Sequence, residues 1–187
     1  ALADAVDEFV TTEVARAIVD LNRAEDDRRA DGVVKTHTCW GTPVYSEPLP
    51  KGVIETLLAK YYRPYHARLT ELARSGVRLG VDCHTMAAHG PPIGPDPGAE
   101  RPWVCLSNAD GRACSREWIE LLADCFEQAF DHPVSINSPF RGGHITRTHA
   151  SEMPWVQVEL SRAGFMTDVE KRACVETALA AWCARAL

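Results

Sequence analysis

Four apolar runs in this chain lead directly into charged or amide-bearing groups. They are Val19-Asp20-Leu21-Asn22-Arg23, Val81-Asp82-Cys83-His84-Thr85, Phe140-Arg141-Gly142-Gly143-His144-Ile145-Thr146-Arg147 and Val156-Gln157-Val158-Glu159-Leu160. Such groups are costly to bury unless each is paired or bound to something. Four of these places in 187 residues predict a site built where strands end, at one edge of a sheet.

The rest of the pattern supplies that sheet. Residues 14–21 read as a strand running into Asn22-Arg23, and 25–31 as a charged loop. Leu57, Leu58, Tyr61, Tyr65, Leu69 and Leu72 recur at helical spacing, which predicts a helix over 53–75, kinked or split at Pro64 and stopped by Gly76. A strand over 77–83 then places His84 at its carboxyl end, and the five prolines and three glycines of 88–102 make a loop. A short strand at 103–106 and a turn at 108–111 precede a helix capped by Ser115 and reaching Phe130. Its apolar face is Trp118, Leu121, Leu122, Cys125, Phe126 and Ala129. Residues 134–136 form a strand that opens into a loop over 140–148. In the strand at 155–160, Val156, Val158 and Leu160 face one way while Gln157 and Glu159 face the other. Thr167 and Glu170 form a capping box for a last helix to about Arg185. Alternating strands and helices predict a single three-layer αβα domain over residues 1–187 with a mixed, mostly parallel sheet. In such sheets ligands bind beyond the carboxyl ends of the strands.

Composition narrows the partners. The net charge of −6 argues against nucleic acid and anionic membranes, and no run of apolar residues is long enough to span a bilayer. An arginine pocket can still hold a small anion against that global field. The seven cysteines are odd in number and contain no C-x-x-C pair, so they read as reduced core residues of a cytoplasmic protein. The chain opens at Ala1 rather than Met, and an N-terminal segment is expected to lie outside it.

Several residues have the chemistry of a site. His84 is a candidate metal ligand, with Asp82 on the same strand face to orient its ring, although one histidine does not make a zinc site. Glu159, in an otherwise apolar strand, is either a solvated edge residue or a general base for water. Asn22, Arg23 and Arg141 suit a carboxylate ligand, with Arg147 a weaker candidate, and Gly142-Gly143 lets backbone approach closely. His37, His144 and His149 could extend a polar site, whereas His66, His89 and His132 show no usable pattern.

Taken in order, the phrases D-L-N-R, G-x-P-x-Y (41–45), Y-Y-R-P-Y-H (61–66), D-x-H-T, a short asparagine turn, G-G-x-I-T-R and Q-x-E-L resemble the N-formylglutamate amidohydrolase family, over about residues 7–168. The resemblance implies a fold like that of zinc exopeptidases and the aspartoacylase group. It implies hydrolysis of an N-acyl, specifically formyl, amide of an acidic amino acid, with one zinc ion as cofactor and a small anionic substrate as partner. It assigns His84 as a zinc ligand and Glu159 as the general base and proton shuttle. It assigns Asn22, Arg23, Arg141, Gly143 and Arg147 to the substrate, with His144 standing where a tyrosine is usual. It also implies a first zinc histidine in a P-H-x-G phrase, and no such phrase precedes Asp20. Asp7 or Glu8 falls in the region of an acidic ligand. Two readings follow: an amidohydrolase whose remaining ligands lie upstream, or a non-catalytic carboxylate-binding domain that has lost the metal.

Overall fold

The helical period of residues 53–75 becomes three abutting segments in a computed structural model that describes residues 6–186: α1 (Lys51–Leu57), a π-helical turn (Leu58–Tyr62) and α2 (Arg63–Arg74). Proline causes the division. Pro64 has no N–H for the carbonyl one turn back, and its ring crowds that carbonyl. The chain widens just before it, and the Arg63 N–H donates to the Leu58 carbonyl five residues earlier. Gly76, at φ +96°, ends the helix as expected.

The remaining elements are β1 (Gly80–Met86), β2 (Val104–Ser107), α3 (Arg116–Phe130), β3 (Ser135–Ile136), α4 (His144–Thr148), a 3-10 turn (His149–Ser151), β4 (Trp155–Ser161) and α5 (Asp168–Ala186). The four strands form one mixed sheet in the order β1-β4-β2-β3. β1 runs parallel to β4 and β2 parallel to β3, while β2 and β4 are antiparallel. Glu159 is therefore on an inner strand, and the expectation of a solvated edge fails: β4 is flanked on both sides, and Glu159 is 5% exposed.

The two faces of the sheet differ in chemistry. Val104, Leu106, Val156 and Val158 pack against Leu122, Phe126 and Phe130 of α3 and Val175, Ala178 and Trp182 of α5. The buried face of α3 is turned from the expected one. Ile119, Ala123 and Phe130 are buried, whereas Trp118, Leu121 and Ala129 sit on the flanks. α5 lies alongside α3 and sets this rotation, with Trp118 edge-on to Trp182 at 5.3 Å between ring centroids. Ser115 caps α3 by accepting the Trp118 N–H, and the Thr167–Glu170 capping box opens α5.

The opposite face carries Asp82, His84, Cys105, Ser107, Gln157 and Glu159, as the strand registers dictate. An N-terminal loop and α4 cover it. Residues 14–21 are not a strand: Ile18 and Val19 donate back to the Ala15 carbonyl, and only Val19 makes a bridge, to Val34. A strand there would need a continuous partner, and the loop instead folds on itself around Asp20. Residues 144–148 are helical rather than loop, because Gly143 supplies an extended N-cap and the Arg147 N–H donates to its carbonyl. His84 sits within β1 rather than at its end, since the strand begins at Gly80, later than its hydrophobic run, and continues to Met86.

All seven cysteines are free thiols. Cys105, Cys114 and Cys125 are buried as expected, but Cys83 and Cys183 are exposed, Cys83 lying on the outermost strand. Among the described residues no helix is long and apolar enough to cross a membrane.

Phe126→Ala is expected to destabilise the protein by about 3–5 kcal/mol through the cavity it leaves, and Ser115→Ala by about 1 kcal/mol through loss of the cap. Urea unfolding followed by far-UV circular dichroism checks both.

Candidate active site

The site grows from the loop around Asp20. The Asp20 carboxylate is buried and accepts from the Asn22 backbone N–H (3.1 Å). Arg16 (3.1 Å) and Lys35 (2.9 Å) pair with it, and Arg23 lies at 3.7 Å. Burial alone would raise its pKa, but Arg16 and Lys35 outweigh burial and hold it below the ordinary value. Helix residues fix the carbonyls on either side of Asn22. His66 Nε2 donates to the Leu21 carbonyl at 3.0 Å, and the Tyr62 hydroxyl donates to the Arg23 carbonyl at 2.9 Å. These two side chains are four residues apart and so share a helix face. Sequence reading found no pattern at His66; the signal is its i, i+4 spacing from Tyr62.

Asn22, so held, reaches three ways. Its Nδ2 donates to Asp82 Oδ2 at 3.0 Å, and its Oδ1 accepts the Ile145 N–H at 2.8 Å. Its amide also lies 3.0 Å from His84 Nε2. Asp82 Oδ1 is 2.8 Å from the same nitrogen, and an Arg16 guanidinium nitrogen is 3.2 Å from His84 Nδ1. The amide atom facing Nε2 is Nδ2, itself a donor, and its hydrogen bond goes to Asp82 Oδ2. With Asp82 Oδ1 accepting at Nε2 and a guanidinium, which only donates, at Nδ1, the neutral ring carries its proton on Nε2 and its lone pair on Nδ1. Burial lowers the His84 pKa, but the Asp82 hydrogen bond and charge, joined by Glu159, carry it above its usual value.

Glu159 lies opposite His84 in the β1–β4 register. Its Oε1 accepts from Gln157 Nε2 (2.9 Å), and Gln157 Oε1 accepts the Gly143 N–H (2.5 Å). Burial raises the Glu159 pKa above the ordinary 4.5; His84 and Arg16 oppose the rise and Asp82 adds to it. A buried carboxyl with a raised pKa beside an imidazole and a guanidinium has the equipment to take up and return a proton. A hollow of about 430 Å³ at the edge of β1 is lined by Arg16 and His84 and, on its other side, by Val158, Leu160, Arg162 and Val175; Glu159 is not among its lining residues.

The structure brings His84, Glu159, Asn22 and Gly143 together. A Cβ on Gly143 would fall 2.2–2.4 Å from the Asn22 carboxamide, so only glycine fits there. The arginines are placed differently. Arg23 is engaged by Asp31 at 2.9 Å, Arg141 is exposed and 3.6 Å from Asp110, and Arg147 is exposed on α4. Glu8 pairs with Arg68, Asp7 is exposed, and neither joins His84. His37 is tied to Thr36 in its own loop. Residues that sequence reading passed over are Arg16, Lys35, and Arg101, which grips Asp96 with two bonds of 2.7 Å and lies over the Phe140 ring.

Among the described residues no three His, Cys, Asp or Glu side chains are disposed to hold a metal ion. His84 offers one lone pair, on Nδ1, and Arg16 occupies it. The described residues therefore do not fit a zinc ion by themselves.

Comparison with known proteins places the chain in a family and a fold. The profile of the N-formylglutamate amidohydrolase family matches residues 1–166. An N-formylglutamate deformylase of Pseudomonas putida is 30% identical over 86% of this chain and 65% of its own length. A second, from Pseudomonas aeruginosa, is 28% identical over 82% of the chain and 62% of its length. The chain thus spans under two thirds of the length of these curated relatives. In fold it is similar to the crystal structure of an N-formylglutamate amidohydrolase from Ralstonia eutropha JMP134, with a TM-score of 0.72, 19% identity, and coverage of 90% of this chain and 72% of the other.

Gly143→Ala is expected to displace the Asn22 amide and shift its side-chain NMR signals together with those of His84. Gly164→Ala, which has nothing within 4 Å of its added methyl, should leave them in place. Glu159 also predicts a pH dependence of stability. Its folded pKa lies above its unfolded value, so its stabilising contribution is complete below the ordinary 4.5 and is lost as pH rises through the folded value. Glu159→Gln should remove that loss, giving a higher melting temperature than wild type at neutral pH, as read by calorimetry.

Proposed function

Because the chain belongs to the N-formylglutamate amidohydrolase family, we propose that it hydrolyses the formyl amide of N-formylglutamate, releasing formate and glutamate. The observation that carries this reading is Glu159: a buried carboxyl with a raised pKa, on an inner strand, beside His84 and within the field of Arg16. In this reading Glu159 takes a proton from water as the water oxygen attacks the formyl carbon. The C–N bond then breaks, and Glu159 returns the proton to the leaving amine. Arg16, held by Asp20 and His84, offers positive charge to the oxygen on which negative charge develops. Gln157 keeps Glu159 and the Gly143 backbone in register.

Substrate carboxylates fall to the arginines in the same proposal. Arg141 and Arg147 are exposed and within reach of solvent ligands, and Arg23 would exchange Asp31 for a substrate carboxylate. Asn22 acts by positioning, since both ends of its amide are already bonded inside the protein. The zinc-exopeptidase arrangement belongs to this proposal too. It is supported by the mixed sheet with α3 and α5 on one face and a polar site on the other. The zinc ion itself would require donors beyond the described set, with Asp82 holding the His84 tautomer.

That incomplete donor set favours a second reading, a carboxylate-binding domain without turnover. Release of formate from N-formyl-L-glutamate decides between the two. Turnover that falls by about 10²–10⁴-fold in Glu159→Gln supports the hydrolase. Saturable binding of N-formyl-L-glutamate with no formate released supports the binding domain. Undiminished turnover in the variant would remove Glu159 from the mechanism.

A further inference from the structure

A chain of imidazoles, buried at His149 and half-buried at His66, lies behind the site and ends on the exposed Glu152. His66 Nδ1 is 2.8 Å from His149 Nε2, and His149 Nδ1 is 2.7 Å from Glu152 Oε2. Glu152 Oε1 in turn accepts from the Thr70 hydroxyl at 2.8 Å, and His149 is 3% exposed. At its other end the chain closes on the Leu21 carbonyl through His66 Nε2.

Counting protons settles its charge. The Leu21 carbonyl can only accept, so His66 Nε2 carries a hydrogen. The Glu152 carboxylate accepts too, so His149 Nδ1 carries another. A third must lie between the two rings, since two lone pairs 2.8 Å apart would repel. Three protons on two imidazoles make one positive charge, balanced by Glu152. We infer that His149 is a positioning residue: as an imidazolium clamped by Glu152, it holds His66 in the tautomer that donates to the Leu21 carbonyl and so keeps Asn22 aimed at Asp82 and His84.

The consequence is a tautomer switch. When the pair loses its third proton, His149 keeps the hydrogen facing Glu152 and presents a lone pair to His66. His66 must then move its own proton from Nε2 to Nδ1, and the Leu21 carbonyl loses its donor. Burial above all, together with His149 and His144, pushes the His66 pKa down to about 4, which makes His66 the neutral ring of the pair. The other groups facing the chain are Glu25 of the N-terminal loop, His144 of α4 (ring centroid 5.6 Å from His66), Tyr62 and Tyr65, Arg74 opposite Glu152, and Trp155 of β4.

The inference rests on the proposed hydrolase only for its kinetic arm. Imidazole ¹⁵N–¹H correlation spectra at about pH 6 should show His149 protonated on both nitrogens and His66 protonated on Nε2. Glu152→Gln should leave the pair neutral without moving the His66 proton: the new amide can donate to His149 Nδ1, so His149 donates from Nε2 and His66 keeps its hydrogen on Nε2. In the unmutated protein, raising the pH should move the His66 proton to Nδ1 as the pair loses its third proton. There kcat for N-formyl-L-glutamate should fall about tenfold with little change in KM; Glu152→Gln should abolish that fall and Glu152→Asp should keep it. A singly protonated His149 at about pH 6, or a His66 tautomer that ignores pH in the unmutated protein, overturns the inference. The spectra decide this even if formate is never released, so failure of the hydrolase reading and failure of this one are told apart.

Discussion

The Asn22 carboxamide joins three stretches of chain that lie far apart in sequence. Its nitrogen donates to Asp82 on β1, its oxygen accepts from Ile145 at the start of α4, and its backbone is held by Asp20, Tyr62 and His66. A buried amide leaves little freedom, because every unsatisfied donor or acceptor is penalised. The loop, the polar sheet face and the glycine turn are thus registered to one another by a single side chain. Gly143 completes the arrangement by leaving the space that the amide fills.

The sheet supports this by being two different surfaces. One face is an apolar seam between β2, β4, α3 and α5, where burial supplies most of the cohesion. The other concentrates Asp82, His84, Gln157 and Glu159, which weaken the fold individually and hold together only as a network. Asp20 and Glu159 show the two outcomes of burying a carboxyl. Asp20 is surrounded by cations and stays ionised, while burial, aided by Asp82 and opposed by His84 and Arg16, pushes Glu159 toward its protonated form. The first anchors structure; the second has the adjustable proton that acid–base chemistry needs.

Much of this was legible beforehand. α3 and its Ser115 cap, the Thr167–Glu170 box, the Gly76 stop and the alternation along β4 all follow from local rules, and the structure has them. The short phrases in order grouped His84, Glu159, Asn22 and Gly143 with Arg23, Arg141 and Arg147; the first four lie together, whereas Arg23 is held by Asp31 and Arg141 and Arg147 are exposed. Residues 14–21 misled because their apolar spacing suits a strand, yet a strand forms only where a partner lies alongside. Glu159 was ambiguous for the same reason: alternation reports two faces and does not say whether the second is wet. Arg16, Lys35 and Arg101 could not be singled out, since each derives its role from a partner distant in space or held in a loop.

The sequence by itself determined most of the elements, the alternation of each strand and the identity of the groups that could do chemistry, because these depend on residue type and on spacing within one turn or one pleat. Only the tertiary structure decided which groups meet, which tautomer His84 and His66 adopt and which carboxyl is pushed toward its protonated form. Those properties are set by neighbours across the fold, whose distance and burial no local pattern encodes.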